Sequence, residues 1–466
     1  MAVNAFRTFP HRSPTRGMRR ILPVLFSAVL LTGAAAGATD HTPGPVLSPG
    51  PRNVLLITLD TTRADHLSCY GSPVLTSPHI DGLARQGVRF SRATAVIPLT
   101  GPGHATILTG LYPRDHGAIR NGVPMVREVP TLATILSSRG YRTAAFVSGW
   151  TLRRTLAGLD RGFDTFDDDM TDRYHMVNDQ RMGDQTADHA IAWLKEHASE
   201  PFFLWIHLFD PHEPYTDHGL LLPANPTGLG DPPSREILRR YNQEIAFADR
   251  QVGRVLRALS TSDAAQETMI ILTSDHGEAF GENGEKGHGR SLYQATQDVP
   301  FILVHPSLGQ NRVSDLPVST LDVTPTVLDL LDLLPITDSD GVALGQALQA
   351  PGSFAGRAIY QETFPGARKK FWRIFGPRLT GDPTLVAIRR GDWKAIFDPR
   401  RDRIEIYDLG SDPREQHDLS KEQTVRAARF RPLLAAHAER DWLPPSTETA
   451  LSDADRERLE SLGYVD

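Results

Sequence analysis

The chain predicts an α/β protein: a mostly parallel central sheet with helices on both faces, then a smaller antiparallel sheet. Three observations predict it. Short apolar runs alternate with helix-period stretches through residues 53–333, the pattern of parallel strands joined by helical crossovers. The first run, 53–59, is apolar almost without interruption, as expected of a strand covered on both faces. After Gly352 the pattern changes to short strand-like segments separated by turns.

The elements follow in order. Ser77-Pro78 opens a helix that ends at Gly87, with Ser as N-cap and Pro in the first helical position. A helix over 129–138 is closed by Gly140, and 143–147 is a strand. Helix 185–197 precedes strand 202–208, and a long amphipathic helix over 234–259 precedes strand 268–273. A short apolar run over 299–304 and a helix from Thr324-Pro325 to Leu333 complete the first part. Strands at 358–362, 385–389, 393–397 and 403–407 build the antiparallel sheet, and a helix runs from beyond Pro413 into the 430s. The acidic stretch 164–169 reads as a solvated loop, and there are no internal repeats.

A length of 466 residues allows a large core and two unequal domains. The 40% hydrophobic and 23% charged fractions are those of a soluble globular chain, and the net charge of −6 with no basic face argues against nucleic acid as partner. Residues 1–38 read as a secretory signal peptide. Arg16, Arg19 and Arg20 precede an apolar run, and Ala36-Gly37-Ala38 supplies the small-residue cleavage site. Met18 offers an alternative start. The apolar run is short for a membrane span, so cleavage to a periplasmic or secreted protein is expected over an uncleaved anchor. Residues 39–52 are a Pro/Gly-rich linker. Cys69 is the only cysteine, which excludes an intramolecular disulfide, and it reads as a small buried thiol.

Chemistry-bearing residues gather where strands end. Asp60 follows the first strand, and Asp275-His276-Gly277-Glu278 follows the strand at 268–273. Thr100 stands ahead of Gly101-Pro102-Gly103-His104 and a short helix pattern. Carboxylates, an imidazole and a hydroxyl at the carboxyl ends of strands suggest a metal that activates an oxygen nucleophile. The segment His207 to Tyr215 crosses another strand end, Asn121-Gly122 marks a turn, and Lys286-Gly287-His288-Gly289 is a Gly-rich loop. Read on their own, Asp60 is equally a cap, Asn121-Gly122 a plain turn, and Lys286-Gly287-His288 a solvated loop.

From Asn53 onward these motifs resemble the sulfatase family of the alkaline phosphatase superfamily. Its members carry Cys or Ser, then x-Pro-x-Arg, then Ala, a small residue and Leu-Thr-Gly. Here Thr100 takes the Cys position, Pro102 is kept, His104 takes the Arg position, and Leu108-Thr109-Gly110 matches the rest. The Trp393 region and the closing segment 459–464 resemble the family's C-terminal subdomain. The resemblance implies an alkaline-phosphatase-like fold, a catalytic domain over 53–350 and a C-terminal α+β subdomain over 351–466. It makes Asp60, Asp275, His276 and Thr100 ligands of one divalent metal. Family sulfatases usually have a second Asp where this chain has Thr61, and Asn where it has His276. Those departures favour zinc or manganese, with calcium as the alternative. A second metal would draw on Asp210 with His212 or His218.

Thr cannot yield the family's formylglycine, because its methyl would leave a ketone. Thr100 would therefore act as its own hydroxyl, as in phosphodiesterase and phosphonate hydrolase relatives. The resemblance makes Asn121 and Lys286 oxyanion ligands, His212 or His288 the leaving-group acid, and His104 a group that orients Thr100 or stands in for the Arg. His207 reads as a buried, hydrogen-bonded strand residue, and Arg63 and Asp65 as structural. The expected activity is hydrolysis of phosphate, phosphonate or sulfate esters through a covalent Thr100 intermediate, with phosphodiester-type substrates preferred. The alternatives are a sulfatase proper and a catalytically silent binding protein on the same fold. Small-molecule, glycan and lipid esters all remain open as substrates, with the loops 167–181 and 217–233 setting the choice. The sequence is silent on oligomeric state.

Overall fold

A computed structural model describes residues 52–444 apart from 171–179, 221, 223–231, 337 and 365–380, together with 455 and 457. The expected signal peptide, nearly all of the linker, parts of both specificity loops and the closing segment 459–464 lie outside the described residues.

The strands are β1 (Asn53–Leu59), β2 (Val88–Thr94), β3 (Arg142–Val147), β4 (Thr165–Asp167), β5 (Phe202–Leu208), β6 (Thr268–Ser274), β7 (Ala279–Phe280), β8 (Lys286–Gly287), β9 (Phe301–Val304), β10 (Arg312–Ser319), β11 (Ala358–Thr363), β12 (Leu385–Arg390), β13 (Trp393–Asp398) and β14 (Arg403–Asp408). Eight of them form one sheet in the order β10-β2-β9-β6-β1-β5-β3-β4. Only β9 runs against the rest, pairing antiparallel with both β2 and β6. The expected mostly parallel sheet is therefore present.

β1 explains the architecture. All its residues are buried. Val54 and Leu56 enter the apolar cluster on one face, while Leu55, Ile57 and Leu59 enter the cluster on the other. With both faces covered, no position favours a polar residue, so the run is continuous rather than alternating. Leu59 pairs with Leu208 of β5 on one side and with Ser274 of β6 on the other. The next residues, Asp60, Phe209 and Asp275, consequently leave the sheet at one level.

Helices over Pro78–Gln86, Gly183–His197 and Pro232–Ser260 lie where the sequence places them, within two residues at each end. Ser77 precedes its helix but does not cap it; its hydroxyl donates to Asp81 (2.9 Å). The expected helix over 129–138 is shorter, Leu132–Ser137. Its start is set by a capping box in which Thr131 Oγ1 accepts from the Thr134 N–H (3.1 Å) and Thr134 Oγ1 from the Thr131 N–H (2.9 Å). The acidic stretch 164–169 is not wholly a loop: Thr165–Asp167 is the edge strand β4, and Asp167 pairs with Arg181 (2.7 Å) and His189 (2.7 Å). Cys69 is half-buried rather than buried, and desolvation pushes its thiol up to about 12, far from a reactive thiolate.

The four-stranded antiparallel sheet β11-β12-β13-β14 packs one face on the helix Thr424–Ala438 through Val386, Ile388, Phe397, Ile406, Phe430 and Leu434. A buried ion pair ties this region to the first part of the chain. Arg114 Nε donates to Glu362 (3.1 Å), and its other nitrogens donate to the carbonyls of His437, Ala438 and Arg440. Arg114→Ala leaves the buried Glu362 with only His437 close by (3.3 Å) and strips three carbonyls of their donor, so a loss of about 3–5 kcal/mol is expected in chemical denaturation. Adding Glu362→Gln should return part of that loss, because the orphaned charge is then gone; strict additivity would count against this pairing.

Candidate active site

The site lies at the carboxyl ends of β6, β1 and β5, the usual ligand position of open α/β sheets. Asp60, Thr100, Asp275 and His276 are fully buried there. Asp60 Oδ2 accepts from His207 Nε2 (3.1 Å), which leaves Asp60 Oδ1 without a partner. Asp275 Oδ1 accepts from the His276 N–H (2.9 Å) and the Thr61 N–H (3.2 Å), leaving Asp275 Oδ2 unpartnered. His276 Nδ1 donates to the Gly277 carbonyl (2.9 Å), so the proton sits on Nδ1 and the bare lone pair on an unpartnered Nε2.

Ligand atoms of Asp60, Asp275 and His276 lie within 4.8 Å of one another, the one such set among the described residues. Thr100 Oγ faces Asp60 without a hydrogen bond of ordinary geometry. Buried polar atoms are nearly always satisfied, so three converging orphaned ligand atoms, with the Thr100 hydroxyl beside Asp60, fit a divalent cation. Their electrostatics agree. Burial, and then the charge of Asp275, hold the Asp60 carboxyl well above the usual carboxylate range. A cation relieves both effects.

Thr100 is the first residue of the helix Thr100–Thr109. Two glycines let that helix approach the ligands. A Cβ on Gly103 would sit 3.2 Å from Asp275 Cβ and 3.3 Å from its carbonyl oxygen. A Cβ on Gly101 would sit 3.0 Å from Asn121 Oδ1. Gly103→Ala improves helix propensity by about 1 kcal/mol but must push the helix from Asp275. We expect kcat/KM to fall roughly tenfold or more with little change in melting temperature, since small displacements of reacting groups are costly. Unchanged kinetics would mean that this contact is slack.

The other expected residues are placed as follows. Asn121 Oδ1 accepts from the Gly101 N–H (2.7 Å), and its buried Nδ2 has no partner. The amide is thus anchored by one end, with a donor to spare beside Thr100. His104 Nδ1 donates to the Thr100 carbonyl (2.8 Å), and its Nε2 meets Thr58 Oγ1 (3.0 Å), which also accepts from Trp205 Nε1 (3.0 Å). His104 therefore holds the backbone of Thr100 rather than its hydroxyl, and burial depresses its pKa to about 3. His212 Nδ1 donates to the Glu213 carbonyl (2.6 Å), and the ring stacks on Phe209 (4.3 Å). The His288 ring lies 5.1 Å from that of His212 and 4.5 Å from that of His276. Burial holds His212 down at about 3 and His288 at about 4, so both imidazoles are neutral at pH 7. Lys286 stands on the short β7/β8 hairpin with its side chain exposed and no ion pair among the described residues. Asp210 Oδ1 accepts from the Gly183 N–H (2.9 Å), and His218 pairs with Glu244 (2.7 Å). Neither Asp210 nor His218 belongs to the described metal set.

Two residues were missed as functional candidates. Glu278 is buried beside His288, whose Nδ1 lies 3.2 Å from each carboxylate oxygen, and the Tyr215 hydroxyl donates to it at 3.4 Å. The only signal in the sequence was an acid directly after Asp-His-Gly. His207 was read as a buried strand residue, and it is one, but its partner is Asp60 itself. A partner inside the ligand set orients the ligand.

A sequence model of the sulfatase family matches residues 52–333. The chain belongs to the sulfatase family. It is an ester hydrolase of that family by its relatives. An N-acetylglucosamine-6-O-sulfatase of Bacteroides thetaiotaomicron is 23% identical over 88% of this chain and 90% of its own. An ulvan-active sulfatase of Formosa agariphila is 26% identical over 66% of this chain and 67% of its own. Among solved structures, the phosphonate monoester hydrolase of Agrobacterium radiobacter superposes with a TM-score of 0.67 at 25% identity, covering 84% of this chain and 96% of the other.

Proposed function

We propose that this sulfatase-family chain is a metal-dependent hydrolase that uses the unmodified Thr100 hydroxyl as nucleophile and prefers phosphodiester or phosphonate esters to sulfate esters. The observation that carries the reading is the buried, unpartnered Thr100 Oγ beside Asp60, itself one of three residues whose orphaned ligand atoms converge. Asp60, Asp275, His276 and Thr100 would hold one divalent cation, with zinc or manganese suited to the imidazole–carboxylate set. The cation would supply Lewis-acid activation of the hydroxyl and of the substrate oxygen.

The residues then divide the work. Thr100 Oγ passes its proton to solvent water, a loss that a bound cation would favour, and bonds to phosphorus in line as the bond from phosphorus to the leaving oxygen breaks. Asn121 Nδ2 donates to a non-bridging oxygen, and such a donor typically contributes about 3–4 kcal/mol. Lys286, whose side chain is exposed, would add positive charge toward the transferred group. His212 or His288 gives a proton to the leaving oxygen. Both are neutral in the free protein, and the arriving anion raises their pKa values toward the working range. Water then attacks the phosphothreonine at phosphorus and restores Thr100.

That last step supports phosphorus over sulfur. A formylglycine hydrate can expel sulfate by elimination from its own carbon. A sulfated Thr has no such route and needs outside attack at sulfur. The phosphonate monoester hydrolase neighbour supports the same preference. The N-acetylglucosamine-6-O-sulfatase relative favours a second reading, sulfate esters on a glycan. Arg16, Arg19, Arg20 and the apolar run after them support export. No helix among the described residues is long and apolar enough to cross a membrane.

The test is hydrolysis of matched aryl sulfate, phosphate monoester, phosphodiester and phosphonate monoester, metal-free and with zinc, manganese or calcium. Metal-dependent cleavage of the phosphodiester or phosphonate above the sulfate is expected. Dominant sulfate turnover would reverse the preference, and turnover equal in chelator would remove the metal.

A further inference from the structure

Thr61 is a β-branched residue in the left-handed region, with φ of 47°. Side chains of this type seldom adopt that conformation, and where one does the surroundings must impose it. Glycine would take it without strain. Thr61 is fully buried and directly follows the ligand Asp60. Three contacts hold it. Its N–H donates to Asp275 Oδ1 (3.2 Å), its carbonyl accepts from the Tyr241 hydroxyl (2.7 Å), and its own hydroxyl donates to the Pro211 carbonyl (2.8 Å). The first two are backbone contacts that any residue could make. Only the third needs this side chain, and it reaches the loop after β5 that carries His212.

We propose that Thr61 is a positioning residue. Its hydroxyl latches the Pro211–His212 turn to the strand ends that carry Asp60 and Asp275, and so fixes His212 over the seat of the leaving group. The proposal rests on the reading of His212 as facing that group. It explains why a strained threonine stands where glycine would fit the backbone: the strain is the consequence of needing an oxygen at this point. Serine is the one other residue that supplies that oxygen without a second branch at Cβ.

Thr61→Gly, Thr61→Val and Thr61→Ser separate the latch from packing. Thr61→Gly should melt close to the parent, because relief of strain offsets the lost hydroxyl contact to Pro211, and should bind manganese with unchanged affinity, because both backbone contacts remain. Its kcat should nevertheless fall roughly 10- to 100-fold on an ester with a poor leaving group, and much less on an activated aryl ester. Amide exchange over residues 210–216 should speed up. Thr61→Val should behave likewise in kcat and exchange, and Thr61→Ser should restore both. Wild-type kcat in Thr61→Gly, equal losses on good and poor leaving groups, or failure of Thr61→Ser to rescue would each overturn the latch. If the parent cleaves no ester, the proposed function fails separately. The exchange comparison still decides the latch, and unchanged protection of residues 210–216 in Thr61→Gly would sink it.

Discussion

Thr100→Ala is expected to lower kcat/KM by roughly 10⁴-fold or more on whichever ester the enzyme turns over best, the loss usual for a covalent nucleophile. The fold should not suffer. Thr100 Oγ is buried and makes no ordinary hydrogen bond, so its removal leaves no partner unsatisfied. An unchanged melting temperature separates this outcome from misfolding, and manganese affinity should fall because one ligand oxygen is gone. Thr100→Ser keeps the oxygen and should retain a large part of the activity. A phosphoryl adduct trapped on Thr100 with a slow substrate would identify the intermediate directly. Activity that survives Thr100→Ala would instead mean that water attacks the substrate without a covalent step, and the role assigned to this hydroxyl would be lost.

Asp275→Asn should lower metal affinity and activity without disturbing the local backbone. Asn can still accept the His276 and Thr61 N–H groups through Oδ1, so the local backbone is kept. What disappears is one of two buried carboxylate charges. Metal affinity and kcat/KM should fall together, on the order of 10³-fold in activity. The metal-free parent, for its part, should lose stability between the ordinary carboxylate range and pH 8, read as a falling melting temperature. The sign follows from Asp60, whose pKa is raised by burial and then by Asp275. A carboxyl with a raised pKa binds more protons folded than unfolded, so the metal-free parent loses stability as pH climbs from the unfolded carboxylate value through the raised one. The same linkage makes added manganese or zinc raise the parent's melting temperature more at pH 8 than at pH 5.5, because ligands that must first shed protons bind metal weakly in acid. A metal-induced shift that does not depend on pH would contradict the assignment of Asp60 and Asp275 as ligands.

The departures from the common sulfatase pattern form a coherent set. With His104 in place of Arg, the imidazole pins the Thr100 carbonyl and Thr58. With Thr61 in place of the second Asp, one negative charge leaves the centre and a hydroxyl reaches Pro211 instead. A less anionic centre tolerates an anionic substrate and a threonine alkoxide better than one with a third carboxylate. A decayed site would show lost ligands; here the ligand atoms converge, and the changed residues have acquired contacts of their own.

The sequence by itself determined the class of fold and singled out Asp60, Asp275 and His276, whose buried side chains converge. The uninterrupted run of β1 can only be a strand buried on both faces, and that alone implies helical layers above and below the sheet. Asp60 and Asp275-His276 were legible because each ends such a run. Three strands of the main sheet were not legible: the three-residue edge strand β4 lies inside an acidic stretch that reads as a loop. β2 and β10 carry arginine, serine and aspartate along partly exposed backbones, and β10 breaks register between Ser314 and Pro317; such segments are strands only because their neighbours complete them. The reversed direction of β9 leaves no trace in four apolar residues. In the site, tertiary structure alone decided that His104 serves the Thr100 backbone, that Glu278 stands behind His288, that His207 holds Asp60, and that Thr61 is strained. Two of these join residues far apart in sequence, His207 with Asp60 and Thr61 with Pro211 and Asp275, while His104 and Glu278 meet residues four and ten positions away through the path of their own segments. The physical reason is register: Leu59 lies level with both Leu208 and Ser274, and that alignment, set by hydrogen bonds between strands, brings the three strand ends together at one point.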